Sequence, residues 1–422
     1  MVSLFALTQC IKDLPHFPEP PLSKPAKEGK QIFRFDTFGD EEFWSGLLHI
    51  DKAIAGANNG GFGPGVSPQT ALAVGLKVDA EAIPAEVAAG IKSGAVKLDD
   101  PATTLTLLKL NAVIGVKGNF DEKGQQLKTI GITCAVCHST VDNSFAPGIG
   151  RRLDGWPNRD LDVGAIISLT DNAQPIADLL HVDEPTLRTV LGEWGPGKFA
   201  AVLFMDGKAL RPDGKVAANL IPAAFGLKDV ALTTYTGWGD ISYWNAFVAN
   251  LEMHGKGNFR DTRLNDPVKY PIAVENGFFN VMNDPDLITS KLRALREYQH
   301  SLRVPRAAPG TYNFTAAAKG KSLFYGKAKC GTCHSEERYR HASTILSTAE
   351  EIGIDDFEAK RSPTGKYRIT PLAGLSVRSK GGFYHDGRFP AIADVIDHYD
   401  KHMKLNLTSD EKNKLAEYLK SL

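Results

Sequence analysis

Neither sign of charge is in excess. Lys plus Arg number 49 and Asp plus Glu number 49, so no net field favours nucleic acid or an anionic membrane surface, and any charged docking patch has to be local. No apolar run reaches the roughly 18 residues needed to span a bilayer. The opening stretch Met1-Val2-Ser3-Leu4-Phe5-Ala6-Leu7 has a short apolar core but no basic n-region, so the expectation is a signal already removed or a truncated start. The loop at residues 58–64 is rich in glycine but lacks the Gly-Lys-Ser/Thr ending of a phosphate cradle, and reads as plain loop. Cysteine is scarce too, with five in the chain. Four of them fall into two paired motifs, which leaves Cys10 without an intrachain partner for a disulfide. A lipid anchor at Cys10 is set against a bulky Gln9, where such a cleavage site takes a small residue.

The paired motifs are what the chain is organised around. Cys134-Ala135-Val136-Cys137-His138 has a twin in Cys330-Gly331-Thr332-Cys333-His334. Cysteines at i and i+3 lie about one helical turn apart, so both thiols can add to the two vinyl groups of one haem while the following His reaches the iron. A zinc site built from two Cys pairs would not require His directly after each second Cys. Two covalently bound haem c groups are therefore expected, with His138 and His334 as proximal ligands, and electron transfer or redox chemistry fed by it as the function.

The rest of the chain reads as mainly α-helical. Residues 14–30 are proline-rich and polar, and residues 1–40 are expected to form an extended arm. Apolar spacing predicts helices over residues 43–54, 68–78, 84–93 and from 101 to 110, then through 166–194 and, as one long helix, over 284–302. Further helices are predicted at 314–326 and at 411–419, the last capped by Thr408 or Ser409. Strand signals are few, such as residues 128–133. After the first motif, Arg151, Arg152 and Arg159 stand among glycines and prolines and are candidate donors to haem propionates. Pro305, Pro309 and Gly310 mark the best boundary. The organisation expected is two cytochrome c-like haem domains, at residues 41–305 with an N-terminal helical extension and insertion, and at 306–422.

Near the C-terminus stand three further signals: Tyr367-Arg368-Ile369-Thr370-Pro371-Leu372, Gly382-Phe383-Tyr384-His385-Asp386-Gly387-Arg388-Phe389 and Val395-Ile396-Asp397-His398-Tyr399. With the second haem motif they resemble the bacterial di-haem cytochrome c peroxidase and MauG superfamily. The resemblance implies that the residue fourteen positions after the His of the His-Asp-Gly turn is the distal ligand of the C-terminal haem, Met in peroxidases and Tyr in MauG-like proteins. Here that residue is Tyr399, with His398, His402 and Met403 as nearby substitutes. Upstream, Ile221-Pro222-Ala223-Ala224-Phe225-Gly226 is similar to a family Pro segment. Trp238-Gly239-Asp240 stands where the family has a Trp that relays electrons between haems. The resemblance also implies a calcium ion, on Asn219, Lys380 and Gly382.

Two departures stand out. The stretch from His138 to Asn219 is much longer than in those peroxidases, and the residues expected after the relay Trp are not in register. A peroxidase site needs an acid/base near iron, and Glu252 is the carboxylate available in the run from Tyr243 to His254. Met253 and His254 raise the opposite possibility, that one of them closes the iron. His181 and Met205 are the ligating side chains of the long insertion. The expected function is a periplasmic or otherwise extracytoplasmic di-haem oxidoreductase. It would reduce hydrogen peroxide, or use oxygen, with electrons from a small redox protein or an organic donor. Its rivals are a non-catalytic di-haem electron carrier and a MauG-like or oxygenase enzyme acting on a partner protein or organic substrate.

Overall fold

The computed structural model describes residues 21–335 and 345–422. Cys10 and residues 1–20 of the expected arm lie outside the described residues. The arm is corrected where it is described, because residues Lys24–Phe35 form a helix. Ser23 caps it, its hydroxyl accepting from the Ala26 N–H at 3.3 Å. Pro25 falls in the first turn, where a missing N–H costs nothing.

That helix crosses Leu292–Ser301 at a glycine. A Cβ on Gly29 would overlap the Ala294 carbonyl and lie 2.8 Å from the Tyr298 Cβ, so only glycine permits the approach. The same device recurs downstream. Helix Phe314–Tyr325 crosses Ser409–Lys420 at Gly320, where a Cβ would overlap the Lys414 carbonyl and lie 2.8 Å from the Tyr418 Cβ. In the first pair Phe33 meets Tyr298 edge-on with ring centroids 5.4 Å apart, and in the second Phe324 meets Tyr418 at 5.2 Å. Cys134 packs against the first pair's apolar cluster and Cys330 against the second's. The chain therefore repeats a unit of glycine helix, Cys-x-x-Cys-His and tyrosine helix. The repeat is visible as Gly-Lys-x-aliphatic-Phe at residues 29–33 and 320–324, and as Glu-Tyr-x-x-Ser-Leu at 297–302 and 417–422.

Between the first glycine helix and its partner lies most of the mass. Helices such as Pro101–Lys109 and Glu184–Trp194 pack around one large apolar cluster that holds Trp44, Leu107, Leu108, Trp194, Trp238 and Phe247. The predicted helix over 166–194 is three shorter ones, Val163–Ile167, Gln174–Leu179 and Glu184–Trp194. The long helix expected over 284–302 is regular only from Leu292, after a short 3-10 turn. Strands among the described residues pair only in twos; the longest ribbon is Val116–Phe120 antiparallel to Leu127–Ile132. The protein is mainly α-helical, and no helix of the described residues is long and apolar enough to cross a membrane.

Asp154 ties the first helix pair to the loop after the first motif. Its carboxylate accepts from Arg34 Nε at 2.6 Å, Arg152 Nε at 2.7 Å, Ser139 Oγ at 2.7 Å and the Tyr298 hydroxyl at 2.5 Å. Burial pushes this carboxyl up, but the charges of Arg152 and Arg34 and the two hydroxyls outweigh it and hold it at about 2. A depressed carboxyl stabilises the fold fully above its unfolded value of 3.8, and the contribution is lost as pH falls through about 2. Asp154→Asn should cost about 2 kcal/mol at neutral pH, since it removes a charge-assisted cluster while keeping the shape. The deficit in urea unfolding should shrink as both proteins are taken toward pH 2; a deficit independent of pH would assign the effect to packing.

Candidate functional site

The first motif sits on the helical turn Ala135–His138. Cys134, Cys137 and His138 form one wall of a cavity of about 290 Å³. Its other walls come from far apart in sequence: Phe43 and Trp44 from the N-terminal region, Phe204 from the long insertion, and Glu252, Met253 and His254. The π-helical turn Val248–Glu252 widens the backbone where these three residues begin, with Glu252 as its last residue, a local irregularity common at functional sites. The Trp44 indole N–H donates to the Met253 carbonyl at 3.2 Å and pins the turn. His254 follows with φ of +61°, a strained backbone for a side chain of that size, and its ring stacks on Phe43 at 3.6 Å.

Glu252 is buried, and neither of its carboxylate oxygens has a hydrogen-bond partner. Burial pushes its pKa well above the usual carboxyl range and so favours the protonated acid. Burial pushes His254 down to about 4, which leaves it neutral. His138 places Nδ1 3.1 Å from the Pro222 carbonyl. A carbonyl only accepts, so that nitrogen carries the proton and Nε2 is left as the metal-binding nitrogen. Burial holds His138 at about 4, against the opposing bond to Pro222.

The second motif lines a cavity of about 590 Å³ with Cys330, Cys333 and His334. Helix Ile392–His402 turns one face to it, Ile392, Val395, Ile396 and Tyr399, with Met403 just beyond. This is the i, i+3, i+4, i+7 spacing of a single helical stripe. Burial raises the Tyr399 phenol, opposed by its neighbour Tyr384. Of the substitutes, His398 Nε2 lies 2.8 Å from the Ile352 carbonyl and His402 Nε2 3.3 Å from that of Glu351. Met403 lines the cavity but is 41 % exposed. The His-Asp-Gly turn is a bracing element. Asp386 pairs with Arg388 at 2.8 Å and also with Arg211 of the insertion, while the His385 carbonyl accepts from the Leu220 N–H at 2.7 Å.

No disulfide joins the four motif cysteines. Three arginines supply a second kind of fit. Arg159 and Arg378 line the second cavity, Arg368 lines both, and the Nε of each is buried with no partner. Guanidinium groups with a spare buried Nε–H, beside paired thiols and a ready His, suit a group with two carboxylate arms, as haem has. Of the arginines expected for that role only Arg159 reaches a cavity; Arg151 pairs with Asp142 and Arg152 with Asp154. Arg368 and Arg378 were missed because nothing in their local sequence marks them as inward-facing.

Other expectations meet a different geometry. His181 pairs with Glu275 on the surface and Met205 is packed in the core; neither lines the first cavity. Trp238 lines the first cavity only, stacked on Trp244 at 5.1 Å with 22° between the rings. The aromatic residue that lines both cavities is Tyr235. Asn219 lines the first cavity and Gly382 the second. The Lys380 carbonyl accepts from Arg159 Nη1 at 3.4 Å. Among the described residues no group of three or more His, Cys, Asp or Glu is placed to hold a metal ion.

No family model matches the chain. An 88-residue stretch, 20% of this chain and 25% of the other protein, is 31% identical to the methylamine utilization protein MauG of Methylorubrum extorquens. The chain thus spans about a quarter of the length of the curated relative it matches. Among solved structures, hydrazine synthase of Kuenenia stuttgartiensis pressurised with xenon is similar over 51% of this chain and 76% of its own, with 15% identity and a TM-score of 0.32.

Proposed function

We propose that the chain is a c-type haem oxidoreductase with two haem sites, in which the first cavity reacts with peroxide or an oxidisable substrate and the second supplies electrons. The first module is then residues 41–305 together with helix Lys24–Phe35, and the second is residues 306–422. The observation that carries the proposal is Glu252, a buried carboxyl without hydrogen-bond partners on the cavity that holds Cys134, Cys137 and His138. A pure electron carrier has no use for a proton donor there, whereas peroxide chemistry needs one.

When bound, a c-type haem supplies an iron that exchanges single electrons and takes axial ligands. The chain's own part is specific. Cys134 and Cys137 would hold the group by thioether bonds, and His138, steered by Pro222, would offer Nε2. Glu252 keeps a proton facing the same space, and the apolar walls exclude water that would compete for it. Cys330, Cys333 and His334 do the same at the second site, where Tyr399 offers a phenol oxygen. Tyr235 spans the wall between the sites, and Trp238 extends the aromatic path on the first side. A calcium ion on Asn219, Lys380 and Gly382 would share the Lys380 carbonyl with Arg159, which donates to it at 3.4 Å. Thioether attachment places the chain on the extracytoplasmic side, and a small redox protein or an organic donor delivers electrons. The similarity to a methylamine utilization protein supports a haem site and keeps an organic substrate or a partner protein within the proposal.

Met253 and His254 line the same cavity and favour a second reading, an electron carrier with both irons closed. Cyanide separates the two. With two haems per chain confirmed by mass after denaturation, cyanide is expected to perturb the spectrum of one haem; no response at either haem would leave the carrier.

Tyr399→Phe is expected to change the spectrum of the other haem and to raise its potential. A phenolate oxygen favours ferric iron, and its loss removes that preference. An unchanged spectrum would shift the ligand to Met403, whose side chain also lines the second cavity.

A further inference from the structure

Pro222, Ala223, Leu227, Tyr235 and Arg368 line both cavities, and Arg368 alone among them is charged. Two bonds hold it to one segment: its N–H donates to the Tyr235 carbonyl at 2.8 Å and its Nη1 to the Leu232 carbonyl at 2.9 Å. The segment is itself constrained, since Thr234, a β-branched residue, has φ of +61°. The Nε of Arg368 is buried without a partner, and no carboxylate among the described residues pairs with the guanidinium. Glu358, which also lines the first cavity, is already taken by Arg361 at 3.2 Å. Burial, reinforced by the Arg378 charge, pushes the Arg368 pKa down to about 9. A cation held in that way is costly unless an anion sits beside it.

We propose that Arg368 is a shared counter-ion, whose guanidinium in the wall between the two cavities pairs with carboxylate arms of the haem groups on both sides. The inference rests on the two-haem reading. One positive charge then acts on both irons, so the redox behaviour of each site depends on the same side chain. Arg378 and Arg159 line the second cavity only and serve as one-sided comparisons.

The test is a spectroelectrochemical titration of variants shown by mass to carry two haems. Arg368→Gln should lower both midpoint potentials, because a neighbouring cation favours the reduced, more negative state. Arg378→Gln should lower one. Arg368→Lys keeps a cation but gives up the planar fork; it should lower both midpoints by less, and is the variant to read where Arg368→Gln fails to load haem. A shift of one midpoint or of neither, in a chain that holds both haems, overturns the shared counter-ion. Fewer than two haems in the unaltered chain overturns the reading beneath it.

Discussion

Glu252→Gln should slow the reaction with hydrogen peroxide by about 10²–10⁴-fold, the usual contribution of one positioned acid/base. The substitution is nearly isosteric with the protonated acid that burial favours, so neither fold nor haem content should change. What is lost is the ability to give up a proton and take it back. Stopped-flow mixing with peroxide reads the rate, and cyanide binding serves as the control for an intact cavity. Slowed peroxide reaction with unchanged cyanide affinity assigns the effect to proton transfer. An unchanged peroxide rate would remove Glu252 from the chemistry and move the acid/base role to His254, whose neutral ring lines the same cavity and can take up the peroxide proton.

The parts of this site that were legible in sequence are those whose chemistry is local. Cys-x-x-Cys-His puts two thiols and an imidazole on one turn, whatever surrounds it. Tyr399 came from the family resemblance, which counts fourteen positions on from His385, and the residue lines the second cavity. The helix Ser409–Lys420 was legible through its cap, Thr408 accepting from Glu411 N–H while Glu411 bonds back. Where the reading failed, tertiary contacts decide. The helix Lys24–Phe35 hides behind its prolines although Ser23 and Pro25 announce it, because its apolar face is short and its stability comes from the crossing at Gly29. The wall of Tyr235 and Arg368 joins segments more than a hundred positions apart, and no periodicity within either segment encodes that meeting. The roof of Phe43, Trp44 and Phe204 over the first cavity is of the same kind.

Arg361→Met should cost about 3–5 kcal/mol of folding stability, the usual consequence of stranding buried charge. Arg361 is 1 % exposed and donates through Nε and Nη2 to both oxygens of Asp206, at 2.8 and 3.1 Å. Its Nη1 reaches Glu358 at 3.2 Å and the Ala217 carbonyl at 3.0 Å. The cluster fastens Leu203–Asp206, from the long insertion, to Phe357–Arg361 from the C-terminal part, and Glu358 lines the first cavity. Removing the cation leaves two buried carboxyls that must either take up protons or admit water. Urea unfolding of Arg361→Met beside the triple variant that adds Asp206→Asn and Glu358→Gln separates charge from shape. The triple variant should recover more than half of the loss, because its neutral amides no longer need a counter-ion. A loss below about 1 kcal/mol in the single variant would mean that the insertion is held by its apolar contacts. The cavity wall at Glu358 would then keep its shape without the ion cluster.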